Sequence, residues 1–186
     1  KLPYSIKGKI EGLQNVDIYL ANYYGNKLYY NDTCHVDERG NYEFAGKPFN
    51  ECGKYALVMP GPRYFDFIAS DEQIIINCSA DADLSKIAVV QSKENKLFFE
   101  YIRYINSKRN VRMPMDNCIN DSLKTDEDKK PCIEELTKLN NEVINYQKEL
   151  IKNNSTSLFG KYLRMGMEED IPNAPEEIAE DKKQQW

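Results

Sequence analysis

The chain of 186 residues can bury one or two compact cores without disulfides, and two units are expected. Its 25 Lys and Arg against 30 Asp and Glu leave a formal charge of -5, a poor match to nucleic acid or anionic lipid, so neither is expected as a partner. No apolar run approaches the roughly 18 residues that a spanning helix needs, and no membrane span is expected. The opening KLPYSIKGKI carries no leading Met or apolar signal segment, and the closing EEDIPNAPEEIAEDKKQQW is charged and proline-bearing. The opening implies that any targeting segment has been removed or never existed, and the closing stretch reads as the boundary of a fragment of a longer protein.

From residue 4 to about 90 the pattern is that of strands. YSIKGKI alternates, with Ile6, Gly8 and Ile10 on one side. NVDIYL puts Val16, Ile18 and Leu20 on one face and Tyr19 on the other. Gly25-Asn26 then offers a two-residue hairpin loop, but simple pairing across it sets Ile18 against Thr33 and mixes the faces. A bulge or longer loop is therefore expected.

The next stretch, DTCHVDERGNYEF, sets Cys34 beside His35, the only histidine, and raises the question of a Cys-His nucleophile. VDERGNY fits a short hairpin loop, with Asp37 opening a type I turn and Gly40 closing it in the left-handed conformation. That register opposes His35 to Glu43 and Cys34 to Phe44. Cys34, Val36, Tyr42 and Phe44 then line the core face, while Thr33, His35 and Glu43 line the other. A nucleophile needs its base within about 3 Å, so a buried Cys34 and an exposed His35 paired with Glu43 are expected.

Further strands are expected at KYALVM (54 to 59), RYFDFIA (63 to 69, after the turn at 60 to 62), EQIIINCS (72 to 79) and KIAVV (86 to 90). About eight short strands suggest a sandwich or open barrel. At Ser92, a good N-cap, the period changes, and Leu97, Phe98, Tyr101, Ile102 and Ile105 form a helical stripe. A second helix is expected from near Pro131 to about Ile151, and a third from Ser155 to about Met167 with Leu158, Phe159, Tyr162 and Leu163. Strands first and helices afterwards make an α+β chain: an antiparallel β-sandwich or open barrel over 1–90, followed by a three-helix region over 91–186 packed on it.

GKIEGL, DTCHVDERGNYEFAG, CGKYALVMP, YFDFIASDEQ and SKENKLFFEYIRY resemble, in that order, the domain of unknown function found ahead of thioredoxin-like domains in Bacteroidetes cell-envelope thiol-disulfide proteins. STSLFGKYLRMGMEEDIPNAP resembles the segment that follows it there. The resemblance implies a sandwich-like module with helices, periplasmic or lipid-anchored on export, whose partner is a downstream thioredoxin-like domain of the same parent chain. It assigns no catalytic residue. Cys34 and Cys52 stand where relatives are expected to have small residues, which leaves open a disulfide peculiar to this chain.

The five cysteines, at 34, 52, 78, 118 and 132, form no CxxC pair, so neither a dithiol redox motif nor a zinc-ribbon spacing is present. Cys118 and Cys132 flank a polar stretch between two helices and are either a disulfide, worth about 3 kcal/mol on loop entropy, or two thiols at the solvent edge. Asp116, Asp121, Asp126, Glu127 and Asp128 lack the glycine of a calcium loop and read as solvated, while Asp81 and Asp83 read as turn residues. No metal site and no cofactor is expected. Tyr23, Tyr24, Tyr29 and Tyr30 are candidates for an aromatic surface binding sugars or peptides, against the simpler reading of strand packing. The function expected is a non-catalytic accessory module that positions the redox domain or recognises its protein or peptide substrate. The alternatives are an independent ligand- or carbohydrate-binding envelope protein, and a self-sufficient thiol enzyme using Cys118 and Cys132 or Cys34 and Cys52.

Overall fold

The structure is a computed structural model and describes residues 4–25, 27–46, 52–61 and 63–167. Asn26 and Pro62, at two of the expected turns, and the charged segment from Glu168 onward lie outside the described residues.

Eight strands follow in order: β1 (Tyr4–Glu11), β2 (Val16–Tyr24), β3 (Lys27–Val36), β4 (Asn41–Gly46), β5 (Gly53–Met59), β6 (Arg63–Ala69), β7 (Ile74–Ser79) and β8 (Ala88–Gln91). They form two four-stranded sheets, ordered β4-β1-β7-β8 and β3-β2-β5-β6. Alternation turns Ile6, Ile10, Tyr42, Phe44, Ile74 and Ile76 of the first sheet toward Ile18, Leu20, Leu57, Met59, Phe65 and Phe67 of the second, and these residues share one buried core. The fold is the expected α+β sandwich. One pair departs from a wholly antiparallel arrangement: β1 runs parallel to β7. Gly8 lies on the inner side of β1, where a Cβ would come within 1.9 Å of the Ile76 carbonyl oxygen. The Tyr42 hydroxyl donates to that same oxygen at 2.8 Å.

The bulge expected in the first hairpin falls on β3. Leu20 opposes Asp32 while Ala21 opposes Tyr30, so Asn31 is the extra residue, and Ile18 then faces Cys34 with both side chains inward.

The second hairpin is corrected. The turn itself forms as read: the Gly40 N–H donates to the Asp37 carbonyl at 3.0 Å, and the Asp37 N–H donates to the Asn41 carbonyl at 3.0 Å. Gly40 has φ +83°. The two strands nevertheless diverge into different sheets, because β4 pairs with β1 and β3 with β2. The turn is committed to β1 through the Ile10 N–H, which donates to the Gly40 carbonyl at 2.8 Å. It is a corner between sheets, so the expected opposition of Cys34 to Phe44 and of His35 to Glu43 does not occur. The face assignment survives, since alternation belongs to each strand separately: Cys34, Val36, Tyr42 and Phe44 are buried.

Three helices follow: α1 (Lys93–Asn120), α2 (Asp126–Asn153) and α3 (Leu158–Met165). Ser92 caps α1, its hydroxyl accepting from the Asn95 N–H at 2.9 Å. Phe99 enters the sandwich core edge-on to Phe65, with ring centroids 6.2 Å apart. Phe159 and Leu163 of α3 pack with Phe98 on Ile68 of β6. The second helix begins earlier than expected: Thr125 and Asp128 form a capping box, and Pro131 falls inside the helix. The third begins later, at a cap on Ser157. At 28 residues each, α1 and α2 are about 42 Å long. Of the described residues 100–138 none is buried, so the far halves of α1 and α2 form a hairpin held mainly by its own contacts. Nearer the sheet the two helices are joined by the Tyr104–Tyr146 stack, with centroids 3.8 Å apart, and by the Lys108–Glu142 ion pair at 2.5 Å.

Candidate functional site

Three of the polar side chains that tie the two halves together, Ser92, Glu94 and Asn95, come from one four-residue run that begins α1. The edge strand β6 would otherwise present free backbone groups at Ile68. Asn95 is fully buried, and its Oδ1 accepts from the Ile68 N–H while its Nδ2 donates to the Ile68 carbonyl, each at 2.8 Å. One amide thus takes the place of a neighbouring strand. The Glu72 carboxylate accepts from the Ser92 hydroxyl at 2.5 Å and the Lys93 N–H at 2.9 Å, placing negative charge at the start of α1. Glu94 does the same for α3, accepting from the N–H groups of Leu158 at 2.9 Å and Phe159 at 2.8 Å. Through these bonds sheet, first helix and third helix are set in one geometry. Sequence reasoning identified Ser92 as a cap but missed Glu72, Glu94 and Asn95.

Residues 4–98 match the family described as Domain of unknown function (DUF4369). The chain belongs to that family. No curated protein and no solved structure matches it. In this DUF4369 member the matched segment contains the whole sandwich and ends just past Asn95, so the run that docks the helices is part of the family domain.

The cysteines fall into three environments. The Cys34 thiol points into the core and accepts from the Glu43 N–H at 3.3 Å, while His35 points outward and its Nδ1 lies 2.8 Å from Asp17 Oδ1. Asp17 replaces the expected Glu43 because it is the residue directly across from His35 on β2. Cys34 and His35 border one shallow depression of about 590 Å³, yet the imidazole is engaged on the far side from the sulfur. Burial, foremost, and the nearby carboxylates push the Cys34 thiol up, away from thiolate formation. Cys78 is likewise buried, and desolvation followed by the Asp81 charge pushes it up to about 12. Cys34 is a free thiol, so the chain-specific Cys34–Cys52 disulfide left open by the sequence does not form, and Cys52 is half-buried.

Cys118 and Cys132 are joined by a disulfide, with Cα atoms 6.4 Å apart, linking the last turn of α1 to the second turn of α2. The intervening segment is mostly helical, and several acidic residues in and beside it are engaged locally. Asp116 pairs with Arg112 at 3.0 Å, Asp121 accepts from the Leu123 N–H at 2.9 Å, and Asp128 closes the capping box. Asp83 caps the 3-10 turn Leu84–Lys86, and Asp81 accepts from Ser79 and pairs with Lys86 at 2.7 Å.

The four tyrosines do not share one surface. Alternation along β2 and the bulge at Asn31 put Tyr23 and Tyr30 on the outer sheet face, where Tyr19 and Tyr30 stack with centroids 4.8 Å apart. Tyr24 and Tyr29 meet edge-on at 6.3 Å on the opposite face. Tyr23 donates to Asp66 at 2.6 Å and lies under the Lys54 ammonium, 4.3 Å from the ring centroid. Burial first, then the Asp66 hydrogen bond, pushes its hydroxyl far up. Next to it is a pocket of about 500 Å³ lined by Asn22, Tyr23, Lys54, Tyr55 and Tyr162, among others. Among the described residues no helix is long and apolar enough to cross a membrane.

Proposed function

We propose that this DUF4369 chain is a non-catalytic accessory module of a cell-envelope thioredoxin-like thiol-disulfide protein, which positions the redox domain or recognises its protein substrate. The observation that carries the reading is the state of the thiols. Cys34 and Cys78 are core residues whose ionisation is pushed up, whereas a redox nucleophile needs a stabilised thiolate in reach of solvent. Cys118 and Cys132 sit at the far end of the helical hairpin, away from the sandwich core. A disulfide in that position supports an oxidising compartment, in keeping with a periplasmic or envelope location. The Ser92 to Asn95 run supports a positioning role, because it sets the direction in which α1 leaves the sheet.

The test compares the parent protein with and without residues 1–186 on a protein disulfide and on a small aromatic disulfide. The accessory reading expects kcat/KM for the protein substrate to fall roughly tenfold on deletion, about 1.4 kcal/mol of recognition, with the small disulfide unaffected. Equal loss on both, or no loss on either, would remove it. One feature favours the ligand-binding alternative, the pocket beside Tyr23 and Tyr162, whose volume of about 500 Å³ falls in the range of small-molecule sites. Against that reading, the Tyr23 hydroxyl and the Lys54 ammonium are both engaged by Asp66.

A further inference from the structure

Cys118 and Cys132 are both partly solvent-accessible in the described structure, and Lys124 in the α1–α2 connection places its Nζ 3.2 Å from the Cys118 Sγ. The contact is asymmetric: the Lys124 ammonium lies against Cys118, and none of the described contacts places a cation against Cys132. Leu123, 93% exposed, and Ile133, 48% exposed, flank the bridge with apolar surface. The rate of thiol-disulfide exchange depends on which sulfur is attacked and on how well the departing thiolate is stabilised. An ammonium held beside one sulfur biases that choice.

We propose that the hairpin-tip disulfide is a site of exchange with an external dithiol, in which Cys132 is attacked, Cys118 is the leaving sulfur, and Lys124 stabilises the departing charge. A thiolate of the dithiol attacks Cys132 Sγ and forms a mixed disulfide. The Cys118–Cys132 bond breaks with its electron pair on Cys118 Sγ, beside the Lys124 ammonium. The second thiolate of the dithiol then attacks its own sulfur in the mixed disulfide and releases Cys132. The dithiol is oxidised by two electrons to its disulfide, the chain's disulfide is reduced to two thiols, and the two protons lost by the dithiol are balanced by those taken up on Cys118 and Cys132. In this reaction the chain is the substrate of exchange and not its catalyst. The inference stands on the hairpin tip alone and does not rest on the accessory-module reading.

The intact 186-residue chain is treated with dithiothreitol in native buffer, and reduction is followed by alkylation and mass measurement. In parallel, a limiting amount of the monothiol glutathione is added and the mixed disulfide is located by peptide mapping. The expected results are reduction without denaturant, slowed about three- to tenfold in Lys124→Gln and restored to near the parent rate in Lys124→Arg, with glutathione on Cys132. Since Lys124 is on the surface, circular dichroism unchanged across the variants confirms that the rates compare like folds. Resistance of the folded chain to dithiothreitol, equal rates in the parent and Lys124→Gln, or glutathione found on Cys118 would each overturn the proposal.

Discussion

Asn95 and Ile68 form a two-point pair: the side-chain amide of one completes the backbone hydrogen bonding of the other, at 2.8 Å in both directions and out of contact with water. The side chain is also held from its own helix, because Nδ2 donates to the Ser92 hydroxyl at 2.8 Å. A buried amide is costly unless its hydrogen-bonding capacity is met, and here both its oxygen and its nitrogen are engaged.

Asn95→Leu removes both partners from Ile68 and leaves a buried N–H and a buried carbonyl without them. At about 1 to 3 kcal/mol for each unsatisfied group, a loss of roughly 2 to 6 kcal/mol is expected in denaturant unfolding. Asn95→Asp keeps the acceptor for the Ile68 N–H but loses the donor and buries a charge, so it is expected to destabilise as well. A change under about 0.5 kcal/mol in Asn95→Leu would show that the amide does not hold the edge strand.

The pair also marks where sequence reading stops. Alternation identified the inner faces, since Ile18, Leu20, Tyr42 and Phe44 need only the period of their own strand to be sorted. The need for a bulge or longer loop in the first hairpin is legible for the same reason, since an unbroken register turns Cys34 outward, but its place at Asn31 is not. Whether the Asp37–Gly40 turn joins partners or parts them depends on β1, some thirty residues away in sequence, whose Ile10 N–H claims the Gly40 carbonyl. Pro131 points to a later start for α2 than the real one, because the capping box of Thr125 and Asp128 satisfies backbone donors that a proline cannot. The apolar stripe of α1 marks the face that meets α2 and α3, whereas Phe99 lies off that stripe and turns to Phe65 in the sandwich. Neither Asn95 nor Lys124 could be assigned a role, since their partners are a backbone group in another element and a sulfur six residues earlier that adopts this position only once the hairpin has formed.

The thiols should react in a fixed order. Cys34 and Cys78 are buried and their ionisation is pushed up, while Cys52 is only half-buried. Iodoacetamide applied to the folded, unreduced chain at pH 8 is expected to label Cys52 first, with Cys34 and Cys78 labelled only as fast as the sandwich opens. Peptide mapping over time reads this directly. Labelling of Cys34 as fast as Cys52, without denaturant, would reopen the Cys-His reading of the segment around His35.

The same burial predicts how the fold responds to alkali. In the unfolded chain the Cys78 thiol ionises near its ordinary value of 9.0, but in the fold desolvation, and then the Asp81 charge, push it up to about 12. A raised folded value means that the folded chain keeps a proton which the unfolded chain has lost. The stability contribution is therefore intact below about pH 9 and falls as pH rises toward 12, by up to a factor of ten in the folding equilibrium per pH unit for this one proton. Cys34 adds in the same direction above its ordinary value of 9.0, and Tyr42, fully enclosed with its hydroxyl on the Ile76 carbonyl, adds above its ordinary value of 10.0. Urea unfolding at a series of pH values should thus show a decline that begins near 9 and steepens beyond 10. Cys78→Ala removes one titrating group and leaves Tyr42 in place, so its decline between pH 9 and 10 should be shallower than that of the parent chain. Identical slopes in the two proteins would mean that Cys78 ionises in the fold as it does in the open chain.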